Sequence, residues 1–345
     1  MFTSTLTAMS TLKMVLFSKH DIPLFCFIKI LWVQLLFKHR LYSIWVVPKL
    51  RHRTFVIMDS NHFPSNLPSP LQKLPMEGMD LWMKRDDLIH PIISGNKWRK
   101  LKGFFREIDR SKTIITFGGA YSNHLPAAAL AAKLHEMKII GIVRGEELNS
   151  KSNRFLKYCN EHGMELSFIS RSEYRMLRER NWQIGDLIQN IPNHHIVLPE
   201  GGAGVHTIEG CAEIWHEIKK ECSPDHLIIS SGTGSTAYGI LTAMSQNEKT
   251  MVHIISAVRG AEQEMNSVCT YAEANGIAVN WVNESFGGFG KTTLELLDES
   301  EKFQSQTGIQ LDPNYNAKLW FWLKNKTLEG SVVWVNTGGF SFQGT

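Results

Sequence analysis

Residues His226–Met244 read HLIISSGTGSTAYGILTAM, and the three parts of this stretch decide the fold. His226–Ser230 is a short apolar run bounded by a turn signal, the pattern of a strand covered on both faces. SSGTGSTAYG (230–239) is too rich in glycine and small hydroxyl residues to prolong that strand, and ILTAM then opens a helical pattern. A strand that passes through a glycine-rich turn into a helix is half of a parallel crossover unit. Small residues at such a turn let backbone N–H groups crowd around a phosphate, and Thr233, Ser235 and Thr236 add hydroxyl donors at the helix start. No Lys-Ser/Thr pair closes it, so it is not a Walker loop; its third glycine, Gly239, comes too late for a dinucleotide fingerprint. On the turn alone, a phosphate cradle and a plain strand-to-helix connection fit equally well.

The same alternation extends in both directions. Thr113–Phe117, Lys138–Val143, Glu165–Ile169, His195–Leu198, Met251–Val258 and Val332–Val335 read as buried strands, while Leu125–His135, Ser152–His162, Thr207–Cys222 and Ala261–Asn275 carry apolar residues at helical spacing. The fold class is therefore α/β, with open, mostly parallel sheets and helices on both faces. Three more strands run into glycine-rich turns, FGGAYSNH (117–124), PEGGAG (199–204) and NTGGF (336–340). Ligands in open α/β sheets bind at the carboxyl ends of strands, so the four turns predict one shared cleft.

Composition narrows the chemistry. The 345 residues are 43% apolar and 20% charged, an ordinary globular mixture long enough for two packed lobes. Five scattered cysteines show neither a C-x-x-C pair nor a Cys/His spacing, which disfavours structural zinc and a disulfide scaffold and suits a reducing cytoplasm. Residues 1–57 hold eight Lys/Arg against one acid, leaving 29 Lys/Arg against 32 Asp/Glu in the rest, so the body shows no nucleic-acid footprint. The apolar window at 22–37 is interrupted by Lys29 and is too short to span a membrane. Residues 1–57 are expected to lie outside the functional fold, with a soluble style of sequence starting at Met58; membrane contact is expected only if that extension is retained.

Upstream, SGNKWRKL (94–101) places Lys97 just after a Gly-Asn turn at the start of a helical pattern. A lysine held there and partly desolvated has its ammonium form disfavoured, as Schiff-base chemistry requires, although most such lysines are simply solvated. A phosphate-type turn, an activated lysine and no metal cluster together meet the requirement for pyridoxal phosphate.

The ordered motifs KRDDLIHPIISGNKWRKL (84–101), FGGAYSNH (117–124), SGTGSTAYG (231–239), LDPNYNAK (311–318) and VNTGGF (335–340) resemble those of the 1-aminocyclopropane-1-carboxylate deaminase/D-cysteine desulfhydrase family, fold type II pyridoxal-phosphate enzymes related to the tryptophan synthase beta chain. The resemblance runs from about Leu67 to the C-terminus. It implies Lys97 as the lysine bonded to the cofactor, Asn123 beside the ring hydroxyl, and Ser122 on the substrate carboxylate, helped by the backbone N–H groups of Asn123 and His124. It implies Thr233, Gly234, Ser235 and Thr236 as the phosphate cup, Tyr315 as the tyrosine facing the substrate, and Lys100 as a second basic position whose alternative is a solvated helix face. Asp86 and Asp87 are expected to be structural, bonding backbone or Arg85.

The sequence departs from the deaminases of that family at telling places. Where they carry Glu after the tyrosine, an apolar residue before the late Gly-Gly and a tyrosine in the GGFG position, this chain has Asn316, Thr337 and Phe289. A Thr337 hydroxyl toward an unprotonated ring nitrogen gives a milder electron sink than a carboxylate would. Asn336 also replaces a His usual for the family. The expected reaction is thus β-elimination and deamination of a small amino acid to a 2-oxo acid and ammonia, D-cysteine desulfhydrase-like. The alternatives are 1-aminocyclopropane-1-carboxylate deamination and cofactor binding without turnover. The resemblance implies a large cofactor-binding domain from 58–102 plus 206–345 and a small domain at 103–205, with the cofactor between them, in a cytoplasmic enzyme that forms a homodimer.

Overall fold

The computed structural model describes residues 66–338, excepting 189 and 247, and before them the backbone of three strands. Those strands, β1 (Leu31–Phe37), β2 (Arg40–Val46) and β3 (Val56–Asp59), pair antiparallel within a unit spanning Met1–Pro64, separate from the unit Ser65–Thr345. The expectations for residues 1–57 and for a start at Met58 otherwise lie outside the described residues.

In the second unit two sheets form. β4 (Leu71–Lys73), β5 (Asp80–Arg85), β10 (His226–Ser231), β11 (Met251–Ser256), β12 (Val279–Val282) and β13 (Ser331–Asn336) make a six-stranded sheet in the order β12-β11-β10-β13-β5-β4. All its pairs are parallel except β4 with β5. β6 (Thr113–Gly119), β7 (Ile139–Arg144), β8 (Met164–Ile169) and β9 (His195–Leu198) make a parallel sheet in the order β8-β7-β6-β9. The helices are α1 (Asn96–Glu107), α2 (His124–Leu134), α3 (Arg154–Glu161), α4 (Arg171–Glu179), α5 (Val205–Glu221), α6 (Ser235–Thr242), α7 (Glu262–Ala274), α8 (Leu294–Thr307) and α9 (Asn316–Leu323).

The period-two alternation of strand side chains explains why both faces need helices. Leu227, Ile229, Val333 and Val335 point to one face of the larger sheet and pack on Ile214 and Trp215 of α5 and Ile240 of α6. Ile228, Val332 and Trp334 point to the other and meet Phe303 of α8 and Leu319 and Trp320 of α9. Each such side chain, fully withdrawn from water, contributes about 1.5–3 kcal/mol. β11 stops at Ser256, two residues short of the expected Val258: Ala257 N makes the last ladder bond, to Ser231 O, and beyond it the Ser256 hydroxyl turns onto Val258 O.

Candidate active site

At the carboxyl ends of β6, β10 and β13 lies a cavity of about 440 Å³, within the range of about 300–1,000 Å³ usual for small-molecule sites. Residues of all four glycine-rich turns line it: Gly119, Ser122, Asn123 and His124 at and beyond the end of β6; Glu200 and Gly201 after β9; Ser230–Gly234 and Thr236 at and beyond the end of β10; Thr337 and Gly338 after β13. Lys97, Lys100 and Tyr315 complete the set of sequence-predicted residues on its wall. Ser235 alone is not on the wall, but its hydroxyl is tied to two groups that are.

The start of α1 is fixed from two sides. Asn96 N donates to Thr337 O at 3.1 Å, bringing α1 against the end of β13. A β-carbon on Gly95 (φ 60) would lie 1.6 Å from that same carbonyl, so only glycine permits the approach. One turn on, fully buried Arg99 makes paired bonds to Asp86 at 2.6 and 2.8 Å and to Glu217 of α5 at 3.0 and 2.9 Å, while Lys84 reaches Glu217 at 2.7 Å and the Ser69 hydroxyl donates to Asp86 at 2.6 Å. Asp86 O also accepts from Gly95 N at 3.1 Å. Asp87 pairs with Arg85, as expected, whereas the partner of Asp86 is Arg99, which sequence reasoning did not single out. The signal was present: an Arg two residues past Lys97, on the buried side of α1, needs a carboxylate.

This anchorage leaves Lys97 facing the cavity, part of its side chain open to the cleft, with no side-chain hydrogen bond or ion pair to any described residue. Protein still surrounds the ammonium closely. Burial first, and then repulsion from Lys100, lower its pKa from 10.5 to about 7, against a weaker upward pull from Cys211 and Glu200. Free amine is therefore available at neutral pH, as it is not for an ordinary lysine.

Lys100 is not a solvated helix-face charge. It is 3% exposed, and its ammonium donates to Ser235 Oγ at 2.7 Å and to Gly201 O at 3.4 Å. The Thr233 and Ser235 hydroxyls lie 2.9 Å apart, and Asn96 Nδ2 donates to Thr236 Oγ1 at 2.9 Å. Gly234, left-handed at φ 69, caps α6, so a cation, three hydroxyls and a helix N-terminus converge.

Across the cavity, the His124 backbone N–H donates to Ser122 Oγ at 3.1 Å, which leaves the Ser122 proton available to a ligand. His124 itself is buried with Nε2 2.7 Å from Thr116 Oγ1, and burial, then Lys97 and Lys100, hold its pKa well below 6.5, so the ring is neutral. Tyr315 packs on Gly232, where a β-carbon would stand 3.0 Å from its Oη, and burial pushes its pKa up, keeping the phenol protonated. Its ring centroid is 5.9 Å from that of Phe289. Asn316 is turned away from the cavity: Nδ2 donates to Asp312 at 2.7 Å and Oδ1 accepts from Trp334 Nε1 at 3.2 Å. Asn336 is likewise engaged, accepting from Gly338 N at 3.1 Å.

Pyridoxal phosphate fits this donor set. A dianionic phosphate needs the cation, hydroxyls and helix start that Lys100, Thr233, Ser235, Thr236 and Gly234 bring together, and an aldehyde needs the unprotonated amine of Lys97. The buried Ser230 hydroxyl on the cavity wall has no partner among the described residues, as expected of a site built for a ligand. No cluster of metal-ligating side chains exists among the described residues, nor any helix long and apolar enough to cross a membrane.

Known proteins agree with this geometry. The family model for pyridoxal-phosphate dependent enzymes matches residues 63–303. An Arabidopsis thaliana protein named bifunctional D-cysteine desulfhydrase/1-aminocyclopropane-1-carboxylate deaminase, mitochondrial, is 29% identical over 80% of this chain and 77% of its own length. D-cysteine desulfhydrase of Klebsiella pneumoniae is 26% identical over 79% of this chain and 92% of its own. A solved structure of an ACC deaminase homologue superposes with a TM-score of 0.69 at 27% identity, covering 81% of this chain and 93% of that one. The chain belongs to the pyridoxal-phosphate dependent enzymes, and pyridoxal 5′-phosphate is its cofactor.

Proposed function

We propose that the enzyme catalyses β-elimination and deamination of a small amino acid, with D-cysteine as the test substrate, yielding pyruvate, sulfide and ammonia with the uptake of one water. The observation that carries this reading is the pair Thr337 and Asn316: Thr337 lines the cavity, while Asn316 spends its amide on Asp312 and Trp334. No carboxylate from position 316 is then available to hold a ring nitrogen protonated, which suits the milder electron sink of an elimination.

When bound, the cofactor supplies an aldehyde that bonds an amine and a ring that withdraws electrons from the α-carbon. Lys97 would provide the amine, and the burial that lowers its pKa suits it to take up the α-proton. Lys100, Thr233, Gly234, Ser235 and Thr236 would hold the phosphate, and Asn123 would hydrogen-bond the ring hydroxyl. The Ser122 hydroxyl, oriented by His124 N–H, donates to the substrate carboxylate, with the N–H groups of Asn123 and His124 near it. Protonated Tyr315 sits on the substrate side and can donate a proton to a leaving group. Tyr315 also favours a second reading, deamination of 1-aminocyclopropane-1-carboxylate, the activity that the Arabidopsis relative's name adds.

Ser122 follows β6 of the four-stranded sheet and the phosphate cup follows β10 of the six-stranded one, which supports a small domain at 103–205 that closes on a large domain of 58–102 plus 206–345. A cytoplasmic homodimer completes the proposal; sedimentation velocity of the holoenzyme tests the dimer. The activity is tested by assaying purified holoenzyme for pyruvate, sulfide and ammonia from D-cysteine and for 2-oxobutyrate from the cyclopropane substrate. Sulfide from D-cysteine with no 2-oxobutyrate is the expected result. Product from the cyclopropane alone would select the second reading, and cofactor colour with no product from either would overturn both.

A further inference from the structure

Lys318 stands one helical turn beyond Tyr315 in α9 and exposes none of its surface. Its ammonium has three N–H donors, and three backbone carbonyls take them: Gly288 O at 2.6 Å, Ser285 O at 3.0 Å and Ala257 O at 3.3 Å. It forms no ion pair with a carboxylate among the described residues. Burial lowers its pKa, and Asp312 draws it part of the way back. A buried cation caged by carbonyl oxygens is how proteins hold potassium, with the difference that this cation belongs to the chain.

What the cage holds is unusual backbone. Ser285 and Gly288 close one turn, Gly288 N donating to Ser285 O at 3.0 Å, and Phe286 (φ 46), Gly287 (φ 92) and Gly288 (φ 96) follow one another at positive φ. For Phe286, which carries a β-carbon, that conformation is disfavoured and persists only where the surroundings impose it. The third carbonyl, that of Ala257, belongs to the residue whose N–H donates to Ser231 O at 2.8 Å, beneath the phosphate cup. The ammonium thus fastens the turn to the floor of the site. The next residue, Phe289, lines the cavity beside Tyr315.

We propose that Lys318 is a positioning residue whose ammonium serves as a built-in monovalent cation, holding the 285–288 turn so that Phe289 forms the substrate-side wall of the cavity. The place of the substrate beside Phe289 rests on the reading above; the clamp itself does not.

The test is Lys318→Met in the holoenzyme, which keeps the aliphatic stem and removes the charge. Cofactor absorbance and the borohydride-reducible link should persist, while the amides of 285–291 exchange with solvent at least about 10-fold faster than in the wild type. KM for D-cysteine should rise about 10-fold with kcat within about 3-fold, since the wall binds substrate without taking part in the chemistry. In Lys318→Ala, whose short side chain empties the cage, potassium chloride should restore both readouts, and tetramethylammonium chloride, too large for the cage, should not. Unchanged exchange, a fall in kcat at constant KM, or no restoration by potassium would each overturn the proposal. Should Lys318→Met fail to fold, Phe289→Ala with Lys318 intact must raise KM to a similar extent, and an unchanged KM there overturns it. If the wild type releases no sulfide from D-cysteine, the proposed function fails, and the exchange measurement still decides the clamp.

Discussion

Replacing Lys100 by methionine should move cofactor affinity and apoprotein stability in opposite directions. The Lys100 ammonium, 2.7 Å from Ser235 Oγ and 3% exposed, is in the proposed reading the cation of the phosphate cup. A hydrogen bond to a charged group contributes about 1.5–3 kcal/mol, so its loss should weaken cofactor binding about 10- to 150-fold. In the apoprotein the same ammonium is a cost, because burial lowers its pKa below the ordinary lysine value of 10.5. A base with a lowered folded pKa leaves the folded state holding fewer protons than the unfolded one between the two pKa values, so stability rises with pH across that window. Methionine removes the Lys100 share of this slope and, by ending the repulsion on Lys97, shrinks the Lys97 share as well. The variant apoprotein should therefore melt no lower than the wild type at pH 7, with a smaller advantage at pH 10.5, the ordinary lysine value, yet gain less from saturating cofactor. Absorbance titration of apoprotein with pyridoxal phosphate and thermal unfolding at the two pH values measure both effects. An unchanged Kd, or an apoprotein Tm that falls as far as the holoenzyme's, would refute the placement of Lys100 in the phosphate cup.

Lys97→Ala should retain cofactor in the cup but lose the borohydride-reducible link, with activity down at least about 10²- to 10⁴-fold from the missing base alone; peptide mapping of the reduced wild type should find the label on Lys97 and on no other lysine. The rate at which apoprotein captures the cofactor should climb with pH and level off above about 7, because only the unprotonated Lys97 amine reacts, and an inflection near the ordinary 10.5 would contradict the depressed value. Asp86→Ala leaves the buried Arg99 guanidinium with Glu217 alone and should cost about 3 kcal/mol in denaturant unfolding, the low end of the usual effect of breaking a buried pair. A cost below about 1 kcal/mol, the scale of an exposed pair, would mean that water reaches Arg99.

Much of the fold was legible because parallel strands buried on both faces leave unbroken apolar runs. β9 (His195–Leu198) was read to the residue, and the run that became β10 was one residue short. β5 escaped notice although it lies inside the larger sheet, since DLWMKR places Lys84 and Arg85 where a hydrophobic pattern demands apolar residues. Their partners, Glu217 for Lys84 and Asp87 and Gln72 for Arg85, make those positions tolerable, and Glu217 is over a hundred residues away in sequence. Lys318 was passed over for the same reason. Within the apolar NAKLWFWL it suggests a surface break, and only the fold reveals three carbonyls waiting for its ammonium.

Position 316 illustrates a different limit, because there the sequence comparison was informative but pointed at the wrong atom. A Glu-to-Asn departure reads as a change in what touches the cofactor ring. In the structure Asp312 gathers the N–H groups of Asn314, Tyr315 and Asn316 at the start of α9, and the Asn316 side chain adds a further donor to Asp312 while accepting from the Trp334 indole of β13. One buried group must donate on one side and accept on the other. An amide does both, whereas an ionised carboxylate accepts only and would set two negative charges together at Asp312. Asn316 thus answers to the packing of α9 on β13, and by doing so it leaves no carboxylate at this position for a ring nitrogen. In the proposed reading, the ring nitrogen is then left to Thr337, whose side chain needs no charge to serve it.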